Sequence, residues 1–468
     1  MSPGTSAGAA LDRAFDLVVE GSRVLIGGAF VAAALGVRDG RIAAIVDVAT
    51  GASMPAARRI DAGARAVLPG FLDLHVHFDN PGESITDDFA VGTGNSALGG
   101  HTFVGDHPFS SPLTTTGARY REKIDLAAAG ARVDFGLWGA MTRPSIDEIP
   151  AQAAAGAAGF KAFLPENDMG YPAALAEDLR RGFRVAAASG GTVLVHAEDR
   201  AAILELDVRS RESGERGYAA LASGRGPGIE LAAVRDVLRI AEETGGAVHF
   251  VHLSVPEAVD LVTAARANGL RATCEVAAHH LLLDASRFPE LGWRALCAPP
   301  LREPALVDGL WARLRAGDIA AVVSDHCPYD PREKALADRD SFAGPFGVQG
   351  AREFAPLFLD EALRRGWSLA EAVAPLTSGP AELFRLAPEK GRIELGADAD
   401  LVLLDTDADW VVSVDEQLGN WKWTPYAGWR SSIRVDGTVV RGTEVVRDGG
   451  LVGAPGVGRF VPMRGWDA

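Results

Sequence analysis

The sequence predicts an α/β fold, a (β/α)8 TIM barrel with an appended β-sandwich domain built from N- and C-terminal segments. From about residue 68 to 386, short apolar strands alternate with alanine-rich stretches that are compatible with helices. Outside that region the chain reads as short strands separated by turns. A length of 468 residues exceeds that of a typical single domain, which fits a large barrel beside a smaller domain. We therefore divide the chain into residues 1–67, 68–386 and 387–468.

Strand patterns at the two ends of the chain predict the appended domain. In the N-terminal segment they predict strands at Asp16–Val19, Val24–Ile26 and Gly36–Ile45, the last with a hairpin turn at Asp39-Gly40. In the C-terminal segment they predict strands at Arg392–Leu395, Asp400–Asp405 and Ile433–Val440. We expect the two segments to pair into one sandwich beside the barrel.

Eight apolar strands can be counted in the middle region, and each is followed by sequence compatible with a helix, such as Leu231–Glu243. Eight such units are the number that a TIM barrel needs. The predicted barrel strands are Phe71–His77, Thr102–Asp106, Val133–Trp138, Gly159–Leu164, Thr192–His196, Val248–His252, Ala272–Glu275 and Ala320–Asp325.

The composition excludes several classes of protein. Hydrophobic residues make up 47% and charged residues 23%, as in ordinary globular proteins. A net charge of −16 argues against a nucleic-acid or anionic-membrane partner. Three scattered cysteines are too few for a disulfide framework. Because neither a signal peptide nor an apolar run of membrane-spanning length is evident, we expect a cytoplasmic protein.

The first barrel strand carries two histidines with the spacing of a metal site. Residues i and i+2 of a strand point to the same face, so His75 and His77 direct two imidazoles at one point. Neutral imidazole is a common ligand of zinc and neighbouring metals. A lone His-x-His pair is, however, as readily a solvated surface feature, so the interpretation depends on the rest of the chain.

Four further strand ends carry groups that can bind a metal: Lys161, His196, His252 and Asp325. In TIM barrels the active site lies at the C-terminal ends of the strands, so these side chains are expected to converge with the two histidines. Taken singly, a histidine at a strand end is usually a hydrogen-bonded structural residue, and an aspartate usually caps the next helix. The joint pattern instead predicts a two-metal site.

Lys161 is the residue that a structural role explains least well. It lies among Phe160, Phe163 and Leu164, and burial favours the neutral form of a lysine amine. A neutral amine can add carbon dioxide to form a carbamate, whose two oxygens can bridge two cations. A modified Lys161 of this kind would complete a two-metal site with the four histidines and Asp325.

Runs of sequence along nearly the whole chain also resemble the cyclic amidohydrolases, the group of allantoinase, dihydroorotase and hydantoinase or dihydropyrimidinase in the amidohydrolase superfamily. The resemblance is carried by Pro69–His77 with Pro81-Gly82, Gly159–Leu164, Val195–Glu198, His249–Ser254, Glu275–Leu281, Cys297–Arg302, Ser324–Pro328 with Lys334, and Lys390–Leu401. Among these relatives the motifs match allantoinase best.

This resemblance implies two divalent metal ions, with zinc as the expected element, and the opening of a small cyclic amide, ureide or imide. The ligands would be His75, His77, carboxylated Lys161, His196, His252 and Asp325. Asp325 would also take the proton of the attacking water and deliver it to the leaving nitrogen. By the same resemblance, the substrate contacts would be His279, Cys297, Ala298, Pro299 and Gln349. The relatives are commonly tetramers, so a homo-oligomer, tetramer or dimer, is expected by analogy.

Several positions depart from the family pattern. Asp79 stands where dihydroorotases have an arginine, and Glu166 stands where hydantoinases have a tyrosine that stabilises the developing oxyanion. His107, Ser110 and Arg352 are also unusual. The departures favour an allantoinase-like enzyme for a different cyclic ureide, imide or lactam. Five alternatives stay open: a hydantoinase or dihydropyrimidinase, a dihydroorotase-like enzyme, a ring-closing cyclase with the same site, an amidohydrolase of linear amides or esters, and a non-catalytic scaffold.

Three other polar residues beside the predicted ligands receive structural interpretations. Asp73 precedes His75 by two residues and is expected to support it without binding metal. His249 lies at an odd spacing from His252, so it is expected to face away from the site. His326 is expected to anchor the loop after Asp325.

Overall fold

A computed structural model describes residues 14–78, 87–166 and 170–465. Its central unit is a barrel of eight parallel strands, which confirms the predicted fold class. The third strand is formed in two parts, separated by Trp138. The barrel strands are β6 (Phe71–Val76), β7 (His101–Asp106), β8 (Asp134–Leu137) with β9 (Gly139–Ala140), β10 (Gly159–Phe163), β11 (Thr192–His196), β12 (Ala247–Phe250), β13 (Ala272–Ala277) and β14 (Ala321–Val323).

The barrel closes between its last and first strands. Val76 pairs with His326 in a parallel bridge, and the backbone N–H of His77 donates to the His326 carbonyl at 2.9 Å. Every residue of the barrel strands is buried, as expected for a parallel sheet covered by helices on its outer face. The C-terminal ends of strands β6 and β14 are therefore held side by side.

Helices follow the strands and cover the barrel. The helix predicted around Leu231–Glu243 is confirmed as one longer helix that starts at Pro227, where proline needs no intrahelical hydrogen bond, and ends before Gly245 at φ 69°. The helices of the barrel region are α2 (Phe89–Leu98), α3 (Gly117–Gly130), α4 (Ile149–Ala154), α5 (Ala176–Ala188), α6 (Arg200–Ser213), α7 (Tyr218–Gly224), α8 (Pro227–Thr244), α9 (Pro256–Ala267), α10 (His279–Leu282), α11 (Phe288–Leu291), α12 (Pro304–Ala316), α13 (Pro331–Lys334), α14 (Phe354–Arg364), α15 (Leu369–Val373) and α16 (Ser378–Leu383); α1 (Val48–Ser53) precedes the barrel. No helix in the described ranges is long and apolar enough to cross a membrane.

The two ends of the chain meet in one nine-stranded sheet beside the barrel. The junction is the antiparallel pairing of β5 with β15, in which Leu401 lies opposite Pro69. The N-terminal strands are β1 (Phe15–Ile26), β2 (Ala29–Arg38), β3 (Arg41–Val46), β4 (Ala56–Asp61) and β5 (Ala66–Pro69). The C-terminal strands of this sheet are β15 (Leu401–Asp405), β18 (Arg434–Val440), β19 (Thr443–Arg447) and β20 (Gly450–Leu451), and the short β16 (Trp410–Val411) and β17 (Arg430–Ser431) form a separate pair. The division at residues 67 and 386 stays a prediction.

The predicted hairpin is confirmed, and two other details of this domain differ from the prediction. Asp39 and Gly40 connect β2 to β3 with φ values of 51° and 76°, as a two-residue turn of the hairpin type requires. The strands predicted at Asp16–Val19 and Val24–Ile26 are one strand with a bulge. The strand predicted at Arg392–Leu395 is wrong, because this segment turns so that Ile393 enters the sheet's core.

A buried charge network joins the sheet to the barrel. The ammonium of Lys390 lies 2.8 Å from Asp134, 3.2 Å from Asp398 and 2.6 Å from Asp400. All four side chains are at most 3% exposed, so the three carboxylates share a buried cation, and Arg441 and Arg459 add further pairs to Asp134 and Asp398. The network links β8 of the barrel to the segment that leads into β15.

Candidate metal centre and active site

The six predicted metal ligands line a single cavity at the C-terminal ends of the barrel strands. They come from five strands that are far apart in sequence, and the parallel barrel brings the ends of these strands together. The six residues are His75, His77, Lys161, His196, His252 and Asp325. Their placement around one cavity is what the two-metal hypothesis requires; their individual roles stay predictions.

One half of the site consists of His75, His77 and Asp325. Atom Oδ1 of Asp325 lies 3.2 Å from Nε2 of His75 and 3.3 Å from Nε2 of His77. Nδ1 of His75 lies 2.6 Å from Oε1 of Glu275, which assigns its proton to that nitrogen. The other nitrogen of His75 therefore presents a lone pair to a carboxylate oxygen. That contact is repulsive unless a cation lies between the two acceptors.

The other half consists of His196 and His252. Nδ1 of His196 lies 3.1 Å from Nε2 of His252, and the rings are 4.7 Å apart. Nε2 of His196 lies 2.8 Å from Oε2 of Glu198, which is itself held by the guanidinium of Arg225. Burial disfavours the ionised form of Glu198, but Arg225 and His196 hold the pKa of this carboxyl well below its usual value. Glu198 is therefore an anion that orients His196, with the free nitrogen turned towards His252.

Lys161 lies between these halves in the wall of the same cavity. Its side chain has no exposed surface, and its ammonium nitrogen has no hydrogen-bond partner among the described residues. Burial lowers the pKa of Lys161 to about 7, against the opposing effect of Asp325 and Glu275. A large fraction of the amine is then neutral near neutral pH, which is the form that adds carbon dioxide.

The backbone bends sharply where two of these side chains leave their strands. His252 has φ 36° and Asp325 has φ 50°, both in the left-handed region that non-glycine residues rarely adopt. Such conformations cost about 1–3 kcal/mol each and are concentrated at functional sites. Next to Asp325, the backbone N–H of Ser324 donates to Asp73 at 3.1 Å, so Asp73 fixes the end of β14 against β6.

The bend at His252 also explains why the prediction for His249 is wrong. His249 was expected to face away from the site, but its Nε2 lies 3.2 Å from Oε2 of Glu275, the carboxylate that holds His75. Counting alternate residues along a strand assumes an extended backbone, and that assumption fails at φ 36°. The prediction for His326 is confirmed, because its Nδ1 accepts from the backbone N–H groups of Gly350 and Ala351 at 3.2 Å.

Comparisons with known proteins give the family to which this chain belongs. The model of the amidohydrolase family matches residues 66–445. The chain belongs to the amidohydrolase family. Its resemblance to the cyclic amidohydrolases is confirmed, and it is an enzyme that acts on carbon–nitrogen bonds in cyclic amides.

Individual relatives span nearly the whole chain. An allantoinase of Rubrobacter xylanophilus is 38% identical over 96% of this chain and 98% of its own length. An allantoinase of Deinococcus radiodurans is 35% identical over 94% and 97%. The solved structure of the L-hydantoinase (dihydropyrimidinase) from Arthrobacter aurescens is 30% identical, with a TM-score of 0.90 over 96% of this chain and all of that chain.

Three residues that hold the amidohydrolase site together were not predicted: Glu198, Arg225 and Glu275. Glu198 and Glu275 lie in quoted family motifs, and their positions beside His196 and at the end of a predicted strand were signals of a role. Arg225 lies in a loop between helices, and no local pattern connects it with the barrel. Only the folded structure brings its guanidinium over the ring of Phe346, 4.9 Å away, and onto Glu198.

The unusual residues have different environments. Glu166 lies at the cavity and is bound by Arg200 at 2.9 Å, which lowers its pKa, so it is an anion there. The ring of His107 stacks on His75 at 3.8 Å. Ser110 donates to the Pro112 carbonyl, and Arg352 pairs with Glu416 at 2.9 Å, so neither is part of the cavity wall. Asp79 and the Pro81-Gly82 motif lie outside the described residues.

The five predicted substrate contacts do not share one location. Ala298 is part of the cavity wall. Pro299 follows it and is buried, and the amide of Gln349 donates to Gln417 at 2.9 Å. His279 and Cys297 are buried outside this lining. Substrate contact by these residues stays a prediction.

Proposed function

We propose that this amidohydrolase opens the ring of a cyclic ureide or a closely related cyclic amide, at a site that holds two divalent cations. The observation that carries the proposal is the convergence of four histidines, one buried lysine and one aspartate on one cavity. A two-metal hydrolase gives each of these six groups a role, as a metal ligand and, for Asp325, also as the general base. Zinc is the proposed element, because imidazole nitrogen and carboxylate oxygen are ligands that it accepts.

The side chains fit such a pair of cations. His75 directs a lone pair at Oδ1 of Asp325, and two acceptors do not approach each other without a cation or proton between them. His196 directs a lone pair towards Nε2 of His252, so these two nitrogens would turn to a second cation. Lys161, a buried amine without a hydrogen-bond partner among the described residues, would react with carbon dioxide to give a carbamate anion and a proton, and the carbamate would be a ligand for the cations. When bound, the cations lower the pKa of water and polarise a carbonyl oxygen.

The protein's own residues then account for the proton transfers and the orientation. Asp325 would accept the proton of the attacking water and deliver it to the ring nitrogen as the carbon–nitrogen bond breaks. Glu275 and Glu198 hold His75 and His196 in the required tautomers, at 2.6 and 2.8 Å. Because His75 has no exposed surface and His196 is 5% exposed, bulk water competes little at the site.

The cavity wall supports a compact, uncharged ring as the substrate. Aromatic rings of Phe109, Phe163, Tyr329 and Phe346 line it. Among the described residues that line the cavity, Arg225 carries a guanidinium. Glu198 already pairs with this guanidinium, so Arg225 is poorly available to a substrate carboxylate. A carboxylate-bearing ring such as dihydroorotate is therefore disfavoured, and allantoin, the substrate named in the allantoinase relatives, fits better. The homo-oligomeric state and the cytoplasmic location stay predictions.

Hydantoin hydrolysis is the second candidate, because the neighbouring solved structure is a hydantoinase with a TM-score of 0.90. Allantoin and hydantoin share the same five-membered ring and differ in one ureido substituent. Glu166 argues against a hydantoinase of the tyrosine-dependent kind, since its ionised carboxylate, paired with Arg200, cannot donate to an oxyanion. The ring-closing alternative needs no other site, because ring closure is the reverse of ring opening and the same groups catalyse both directions.

The test is a panel of rings assayed with enzyme reconstituted with zinc and bicarbonate. The panel comprises allantoin, hydantoins, dihydrouracil, dihydroorotate and simple imides. Chromatography measures ring opening of each compound and ring closure of its open-chain product. We expect the enzyme to turn over a cyclic ureide. Asp325→Asn should lower this turnover at least 10³-fold, because the substitution removes the general base. Full activity after exhaustive chelation, or turnover of dihydroorotate alone, would contradict the proposal.

A further inference from the structure

Behind the cavity wall lies a second cluster of potential metal ligands, formed by His279, His280 and Cys297. One ligand atom from each of the three side chains lies within 4.8 Å of the others. All three residues are only 1% exposed. The two imidazole rings come from adjacent positions of α10 and are 4.3 Å apart. None of the three belongs to the six-residue site described above.

The hydrogen bonds leave the nitrogen lone pairs of this cluster unused. Nε2 of His280 donates to the Pro299 carbonyl at 3.0 Å, so its Nδ1 carries the lone pair. This Nδ1 has no hydrogen-bond partner among the described residues, and neither ring nitrogen of His279 has one of normal geometry. A histidine that donates one ring N–H to a backbone carbonyl and turns a bare nitrogen into a buried space has the arrangement of a metal ligand.

The third ligand atom selects the kind of cation. Sγ of Cys297 lies 3.2 Å from the same Pro299 carbonyl, so the thiol and His280 share one anchor. Burial lowers the pKa of His279 to about 4 and raises that of Cys297 to about 12, so all three groups are uncharged in the absence of a cation. Two imidazoles and one sulfur, with no carboxylate, form a donor set suited to zinc and other thiophilic ions and unsuited to magnesium or calcium.

A comparison within the molecule strengthens this interpretation. In the part of the chain that the structure describes, Asp134, Asp398 and Asp400 form another buried cluster of three potential ligands outside the active site, and there the ammonium of Lys390 already supplies a cation. In the histidine and cysteine cluster, the donated hydrogen bonds satisfy only the Pro299 carbonyl. Among the described residues, the remaining ring nitrogens of His279 and His280 have no hydrogen-bond partner of normal geometry.

We propose that His279, His280 and Cys297 form a third cation site, specific for zinc and other thiophilic divalent ions. On binding, the thiol of Cys297 loses its proton to solvent and a metal–sulfur bond forms, so one proton is released for each ion bound. Because Ala298 lines the catalytic cavity, an ion on Cys297 restrains the wall that faces the substrate. The proposal does not depend on the identity of the substrate.

Cobalt(II) is the probe, because the two kinds of site give different spectra. The six proposed ligands of the catalytic site offer only nitrogen and oxygen. Cys327 also lines that cavity, so a sulfur-to-cobalt charge-transfer band reports the third site once it is shown to persist in Cys327→Ser. The full-length protein is first freed of metal with a chelator and then titrated with cobalt. At saturation, the band is expected to correspond to one cobalt ion per chain. The band is expected to be lost in Cys297→Ser and to persist in Cys274→Ser and Cys327→Ser, whose cysteines are also buried.

A second variant covers the case in which Cys297→Ser does not fold. His280→Asn keeps the thiol and is expected to weaken cobalt binding at this site at least tenfold, measured by the midpoint of the charge-transfer titration. Absence of the band in the unmodified protein at saturating cobalt overturns the proposal. So does a band that survives in Cys297→Ser or disappears in Cys327→Ser. Lys161→Met should keep the band, which separates this site from a failure of the catalytic centre.

Discussion

Replacement of Lys161 by methionine tests the central feature of the site, a buried amine that has no hydrogen-bond partner among the described residues. Methionine fills nearly the same volume without a charge, so packing is largely kept. In the metal-free protein, the lysine must lose its proton to stay buried, because its pKa falls from 10.5 to about 7 on folding. At about pH 7.5, the loss of this proton on folding lowers the free energy of unfolding by about 4 kcal/mol.

The variant is therefore expected to be more stable than the unmodified protein, and also inactive. The folded pKa lies below the unfolded one, so the unfolded chain binds more protons between about pH 7 and 10.5. The stability of the unmodified protein then rises with pH in this window. The advantage of Lys161→Met should shrink from about 4 kcal/mol at pH 7.5 to about 1.4 kcal/mol at pH 9.5. The bound cations should fall from about two to at most one per chain.

The assay is denaturant unfolding of chelated protein in bicarbonate-free buffer, with metal content measured separately after reconstitution. Lys123→Met is the matched control, because Lys123 is equally buried but lies 2.6 Å from Asp106. Breaking that pair should destabilise the protein by about 3–5 kcal/mol. The reasoning is refuted if Lys161→Met is destabilised as Lys123→Met is, or if it retains two cations and full activity.

Three carboxylates give the remaining predictions. Glu275→Gln replaces the carboxylate that holds His75 by a neutral amide, a weaker acceptor, and should weaken zinc binding 10–100-fold in a competition with a chelator. Glu198→Gln should do the same and also lower the free energy of unfolding by about 3 kcal/mol, because it leaves the guanidinium of Arg225 buried without its anion. Burial raises the pKa of Glu353 to about 7, so the folded chain holds more protons than the unfolded chain between about pH 4.5 and 7. The stability of the unmodified protein should therefore fall as the pH rises through this window. Glu353→Gln should recover about 3 kcal/mol above pH 7.

An exposed carboxylate serves as the control for all three. Glu243 pairs with Arg180 and Arg239 on the surface, and Glu243→Gln should change neither zinc affinity nor the pH dependence of unfolding. If Glu275→Gln binds zinc as tightly as this control, His75 does not need that carboxylate. If Glu353→Gln keeps the pH slope of the unmodified protein, Glu353 is not the group that titrates.

Much of the fold was readable from short-range patterns. The apolar strands and their helical intervals gave the barrel, and Asp39-Gly40 gave the hairpin, because each depends on a few neighbouring residues. Patterns failed where long-range packing decided the backbone. Arg392–Leu395 resembles a strand, but it pairs with no neighbour among the described residues and runs into a turn at Gly396, which has φ 87°. The odd spacing of His249 and His252 indicated opposite faces, but the bend at φ 36° turns His252 into the site, and His249 contacts Glu275 from within the regular strand.

The sequence by itself determined which groups stand at the ends of the barrel strands, since strand alternation and the parallel order of a barrel follow from local composition. That was enough to name His75, His77, Lys161, His196, His252 and Asp325 as a set. Only the tertiary structure decided how these groups are held: Glu275 on His75, Arg225 on Glu198, and at Lys161 an amine without a hydrogen-bond partner in the described part of the chain. Burial and hydrogen-bond partners are properties of surfaces far apart in the chain, and no local pattern encodes them.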